Sequence, residues 1–216
     1  MRTIAALRTA AAFGAAINSS PPSNADHPYP SSCSRMSDVI YLAHGARVAL
    51  RYVTLRDFEE LAPLHEESAE TLARWMPGPP IVTYEDFEGY VARFDGPLHE
   101  GFLVCRRDTG AIVGRVNVNN ILRGTHQSAT IGYCAYASMT GRGYMTEGLR
   151  LLVRHAFGEM ELHRLEANIQ PSNAPSLGLI RRVGFQREGY SPNFQFIDGA
   201  WRDHERWAIT AEMTTP

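Results

Sequence analysis

Cysteine is scarce in this chain, with only Cys33, Cys105 and Cys134 in 216 residues. They lie far apart, none stands in a C-x-x-C pair, and no histidine falls at the matching distance, so neither a disulfide framework nor a zinc site is indicated. The eight histidines are scattered, and no metal is expected. Thiols this sparse suit a reducing, cytoplasmic compartment. Basic runs are missing as well: Lys and Arg form no cluster of five or more, and the formal net charge is −2. Direct binding to nucleic acid is therefore not expected, since a polyanion calls for a basic stripe. The two common nucleotide loops are also absent. No G-x-x-x-x-G-K-S/T run exists, and G-x-G-x-x-G fails because Thr146 occupies the place of its third glycine.

What is present reads as one globular domain with a sizeable core, at 44% hydrophobic and 20% charged residues. The first 35 residues differ from the rest. MRTIAALRTAAAFGAAINSS is alanine-rich with two arginines and no acid, and the PPSNADHPYPSSCS that follows carries turn residues without apolar periodicity. A targeting peptide is one reading, but Arg8 splits the apolar core that a secretory signal needs, and the run is too short and polar to span a bilayer. A disordered extension, or a start assigned upstream of Met36, fits the loop-like composition better. Residues 36–216 then form the functional domain.

The domain is organised around Thr130 to Phe157, TIGYCAYASMTGRGYMTEGLRLLVRHAF. Residues 130–136 are β-branched and aromatic, as in a strand. Gly141 and Gly143 interrupt, and Met145, Leu149, Leu152 and Ala156 then recur on one helical face. A glycine turn opening a helix can receive an anion, because the first N–H groups lack internal partners and the helix dipole adds partial positive charge. Arg142 adds a full charge. A plain tight turn is the alternative reading of the same two glycines.

Upstream, a strand is expected at 46–52 and a helix at 54–66 with Thr54 as N-cap and Phe58, Leu61 and Leu64 on its apolar face. LARWMPGPP at 72–80 ends a helix in a proline-broken loop, and Tyr84 to Phe94 reads as a further short helix. Runs 102–107, 111–122 and 129–136, separated by Gly and Asp turns, form an antiparallel meander. Downstream come a strand at 164–170, a helix capped by Asn173 and closed by Gly184, and a last strand at 205–210. Helices on either side of a meander indicate an α+β fold.

Thr140 to Met145, TGRGYM, resembles the acetyl-CoA loop Q/R-x-x-G-x-G/A of the GNAT superfamily of N-acetyltransferases, with Thr140 and Met145 departing from the pattern. LHRLEANIQPSNAPSLGLIRRVGFQREG at 162–189, GYSPNFQFIDGAWRDH at 189–204 and VNVNNILRG at 116–124 are similar to the branch that acetylates ribosomal-protein N-terminal alanines. The similarity covers roughly residues 45–212. It implies a mixed, mostly antiparallel sheet with a splayed central strand pair, flanked by helices. It also implies acetyl-CoA as co-substrate and a primary amine as acceptor. That amine is either the N-terminus of a protein such as a ribosomal protein or a small amine such as a polyamine, amino acid or aminoglycoside. A non-catalytic CoA-binding module is the reading from another class, and a monomer and a homodimer both remain open.

The resemblance further implies that Tyr133, Cys134 and Ala135 present free backbone groups to pantetheine, and that Gly141, Arg142, Gly143, Tyr144, Met145 and Thr146 hold the pyrophosphate. Asn173 then contacts the CoA arm, or only caps its helix. Ser176 protonates the departing thiolate, or belongs only to the cap. Trp75 borders the acceptor, or only anchors the core. Asn193 and Gln195 on the closing hairpin shape the acceptor pocket.

Amide formation from a thioester requires a neutral amine, donors for the oxyanion and a proton for the thiolate. Where relatives carry a glutamate base, this chain has Asn168 and Gln195, and Ile180 stands where a tyrosine acid would. An α-amine with a pKa of about 8 is already roughly one-tenth neutral at pH 7, whereas a lysine near 10.4 is less than about 0.1% neutral. A missing carboxylate therefore points toward α-amines, with Asn168, Asn193 or Gln195 holding water chains. Asp203 and His204 are a further pair, read chiefly as tying the hairpin and otherwise as a proton relay.

Overall fold

The computed structural model describes residues 39–78 and 81–214. The readings for residues 1–35 lie outside the described residues. The elements, in chain order, are β1 (Ala43–His44), β2 (Val48–Tyr52), α1 (Phe58–Glu67), α2 (Ala69–Trp75), α3 (Tyr84–Ala92), β3 (His99–Arg106), β4 (Ile112–Leu122), β5 (Ser128–Ala135), α4 (Tyr144–Gly158), β6 (Arg164–Ile169), α5 (Ala174–Val183), β7 (Gln186–Ile197) and β8 (Ala200–Thr210). The strands form one sheet in the order β1-β2-β3-β4-β5-β6-β8-β7. The β5–β6 pair is parallel and the other pairs are antiparallel. This is the expected α+β architecture.

One core lies under α4 and α5. Met145, Leu149, Leu152 and Ala156 are buried along one stripe of α4, as their spacing predicts, against Val104, Val116 and Val118 of the sheet. Gly148 permits this close approach, because a Cβ there would meet Val104 at 2.6 Å. Leu177 and Ile180 of α5 complete the layer. Gly184 ends that helix at φ 116°, a left-handed conformation that glycine adopts freely. On the opposite side of the sheet, Phe87 and Tyr90 of α3 and Leu61 of α1 are buried. Among the described residues no helix is long and apolar enough to cross a membrane.

Two expectations need correcting. The helix expected from Thr54 starts as a 3-10 turn, Leu55–Asp57, and α1 follows. Asp57 drives this: its carboxylate accepts the Thr54 N–H at 2.7 Å and the forked Arg51 guanidinium at 2.7 and 2.9 Å, and the buried partner on α1 is His65 rather than Leu64. The last strand begins at Ala200, not Glu205, so Asp203 and His204 lie inside β8. The reason is long pairing with β7 across a register shift between Ser191 and Gln195, a bulge that absorbs Asn193 at φ 48°.

Candidate active site

The sheet opens at its parallel seam. Strands β5 and β6 pair only at Ser128 with Arg164, Ala129 with Leu165 and Thr130 with Glu166. Beyond that point β5 stays with β4 as far as Ala135, and β6 stays with β8 as far as Ile169. Each pair twists relative to the next, so strands that follow different neighbours diverge. Along Ile131 to Ala135 the side of β5 toward β6 has no strand partner. A cleft of about 780 Å³ occupies the gap. Consecutive Ile131, Gly132 and Tyr133 all line it, and alternate residues of a strand face opposite sides, so the cleft passes through the plane of the sheet.

On the α4–α5 side, the Tyr133 hydroxyl lies 2.7 Å from Ser176 Oγ, and either oxygen can be the donor. Burial pushes the Tyr133 phenol above its ordinary pKa, so it remains protonated at neutral pH. Ser176 is fixed by its own helix, because Asn173 Oδ1 accepts the Ser176 N–H at 3.2 Å. The Asn173 cap therefore also positions the hydroxyl. Sequence reasoning assigned Tyr133 for its backbone and missed its phenol, since a contact spanning 43 residues leaves no local pattern.

On the other side the cleft is walled by Trp75, Met76 and Tyr90, by Arg115, Asn117 and Asn119 of β4, and by Asn168, Phe194, Gln195 and His204. Trp75 ends α2, and Gln170 Nε2 ties that end to the strand terminus by donating to the Arg74 carbonyl at 3.2 Å. The contact of 3.0 Å between His204 Nδ1 and the Arg202 carbonyl requires the proton on Nδ1, leaving Nε2 as acceptor. Burial holds this imidazole below its ordinary 6.5. Asp203 ties the hairpin, accepting from the Tyr190 hydroxyl and from the Asn193 N–H at 2.8 Å.

Trp75, Tyr133, Asn168, Asn173, Ser176 and Gln195 thus share one cleft. Asn193, exposed on its bulge, is outside the lining, as are the buried Cys134 and the half-buried Ala135. The glycine loop is a separate place. Gly141 and Gly143 have φ of 72° and 76°, and Gly143 caps α4 without any capping side chain, leaving the first helical N–H groups available to an anion. Met145 is buried in the core, so only its backbone belongs to the loop. A shallow depression beside the loop is lined by Arg47, Gly143, Thr146, Arg150, Arg154 and Arg182. Arg47 is held by Glu147 at 3.2 Å and by the Arg142 carbonyl at 3.0 Å. The arginines escaped sequence reading because they gather from the turn between β1 and β2 and from two helices; only Arg150 and Arg154, four apart on α4, share a legible face.

Comparison with known proteins places this geometry in a family. Residues 47–186 match the acetyltransferase (GNAT) domain family. The chain belongs to this family. It is 33% identical over 181 residues to the ribosomal protein uS5-alanine N-acetyltransferase of Escherichia coli (strain K12), covering 79% of this chain and 91% of that protein. A probable N-acetyltransferase of Bacillus subtilis (strain 168) is 38% identical over 177 residues, covering 76% and 94%. Among solved structures, Mycobacterium smegmatis RimJ in complex with CoA-disulfide superposes with a TM-score of 0.74 at 30% identity, covering 78% of this chain and 84% of that one. This acetyltransferase moves an acetyl group from acetyl-CoA to an amine nitrogen.

Proposed function

We propose that the acceptor is the α-amine of a protein N-terminus, a ribosomal protein being the partner that the relatives point to, and that transfer takes place in a cytoplasmic setting within the gap between β5 and β6. The observation that carries this reading is the cleft through the sheet, with the Tyr133–Ser176 hydroxyl pair on one side and, among the described residues that line it, no carboxylate next to Asn168 on the other. Of the two acids on its lining, Asp86 caps α3 by accepting from Thr83, and Glu85 is exposed beside it. An α-amine needs little help to lose its proton. His204 Nε2, or water held by Asn168 and Gln195, can accept that proton. Burial lowers the pKa of His204 and so favours its neutral, proton-accepting form.

The oxyanion is served by backbone N–H groups on the unpaired side of β5 near Gly132 to Cys134. The thiolate leaving group, with a pKa of about 8.5, takes its proton from the Tyr133–Ser176 pair. The phosphates of acetyl-CoA sit at the Gly141–Thr146 loop, where Arg47, Arg150, Arg154 and Arg182 supply countercharge. Release of free thiol from acetyl-CoA is the direct assay. Peptides with a free N-terminal Ala or Ser should react, with mass spectrometry placing the acetyl group on the α-nitrogen. The same peptides blocked at that nitrogen but carrying lysine should react far more slowly, as should spermidine. Preferential use of lysine or spermidine would refute the acceptor assignment.

A further inference from the structure

One wall of the cleft is made of hydrogen-bond donors. Arg115, Asn117 and Asn119 stand at alternate positions of β4, so their side chains share one face, and all three line the cleft. The acceptor oxygens on that wall are occupied. Tyr90 donates its hydroxyl to Asn117 Oδ1 at 2.6 Å, and Arg93 Nη2 donates to Asn119 Oδ1 at 3.2 Å. Each amide therefore keeps its NH₂ for something else. Arg115 lies over the Tyr90 ring at 4.8 Å, and its Nε and Nη1 are buried with no hydrogen-bond partner among the described residues. Leaving guanidinium nitrogens buried without a carboxylate is costly, and such groups ordinarily pair.

The register fixes how far this cation lies from the chemistry. Gly132, on the unpaired stretch of β5, stands opposite Asn117, and Cys134 stands opposite Arg115. Arg115 is thus two residues along β4 from the point level with Gly132, or roughly 7 Å. An extended peptide whose amine is at the gap reaches that distance with the side chain of its second or third residue.

Resting on the α-amine reading above, we infer that Arg115 is a specificity-determining residue that pairs with an acidic side chain at the second or third position of the acceptor, while Asn117 and Asn119 donate to its backbone carbonyls. The planar fork of Arg suits a carboxylate, and the donor wall disfavours a polycation.

The test compares kcat/KM for three peptides that begin with free Ala and differ at the second and third positions: Asp-Asp, Asn-Asn or Lys-Lys. The wild-type enzyme should prefer the acidic peptide over its amide isostere by at least tenfold, with the lysine peptide slowest. In Arg115→Met the acidic-to-amide ratio should fall to within threefold, and Arg115→Lys should restore part of it. Thermal melting of both variants checks that the fold is intact, and because the readout is a ratio it survives a general loss of activity. A wild-type ratio below threefold overturns the inference and leaves the α-amine reading standing, as does a preference that survives in folded Arg115→Met. Acetylation of spermidine with none of the three peptides modified overturns both.

Discussion

Replacing Gly143 with valine perturbs the anion loop at its pivot, and the structure sets the size of two separable effects. At φ 76° a side chain enters a left-handed conformation that costs an L-residue roughly 1–2 kcal/mol. The first atom added would lie 3.3 Å from Arg47 Nη2, the end of an exposed, flexible side chain that can move aside. Stability should therefore drop by little more than the backbone cost, lowering Tm by about 2–8 °C for a domain of this size. The effect on CoA should be larger. The added side chain keeps the phosphate from the first N–H groups of α4, and losing one charge-assisted hydrogen bond at about 1.5–3 kcal/mol raises Kd roughly 10- to 150-fold. Isothermal calorimetry with CoA measures this directly. Gly110→Ala is the control: it introduces comparable strain at φ 78° in the turn between β3 and β4, where a Cβ meets nothing within 4 Å, and CoA affinity should not change. A folded Gly143→Val protein that binds CoA within threefold of wild type would refute the assignment of this loop to the phosphates.

Further outcomes follow from the cleft. Tyr133→Phe and Ser176→Ala should each lower kcat about 10- to 100-fold with little change in CoA affinity. The double variant should lose much less than the product of the two, because the hydroxyls act as one unit at 2.7 Å; fully multiplicative losses would argue against a shared proton path. At limiting peptide, the rate should climb about tenfold per pH unit up to the amine pKa near 8 and then level, the neutral amine being the reactive form. Burial moves the His204 titration below its ordinary 6.5, so a rate profile governed by an enzyme group titrating above 6.5 would contradict this assignment. Trp75→Ala should raise the KM for peptide severalfold while leaving CoA binding within twofold, since Trp75 lines the cleft and is absent from the depression beside the glycine loop. Equal losses for both ligands would mean that the tryptophan only supports the fold.

Most elements, and several of their ends, were legible in the sequence, because the forces that set them act within a few residues. The stripe Met145, Leu149, Leu152, Ala156 made α4 and chose its buried face. Asn173 and Gly184 bounded α5, and two glycines in TGRGYM marked a turn that a bulkier residue enters only at a cost. Similar local logic failed where a distant partner outbid it. Asp57 turned the start of the first helix into a 3-10 turn because Arg51, from the neighbouring strand, met its carboxylate. Likewise, β8 began five residues early because β7 was there to pair with it.

Only the tertiary structure decided where the cleft lies. Its opening depends on β5 and β6 pairing at three positions and then following different neighbours, a register relation between segments separated by a whole helix that no short pattern encodes. That same divergence set the Tyr133 phenol against Ser176. Folding also brought Arg115, one more cation in an apolar strand when read along the chain, into a cleft where, among the described residues, no carboxylate meets its buried Nε and Nη1. Periodicity records which face of an element is apolar, whereas the free energy of a buried charge depends on what every other element places around it.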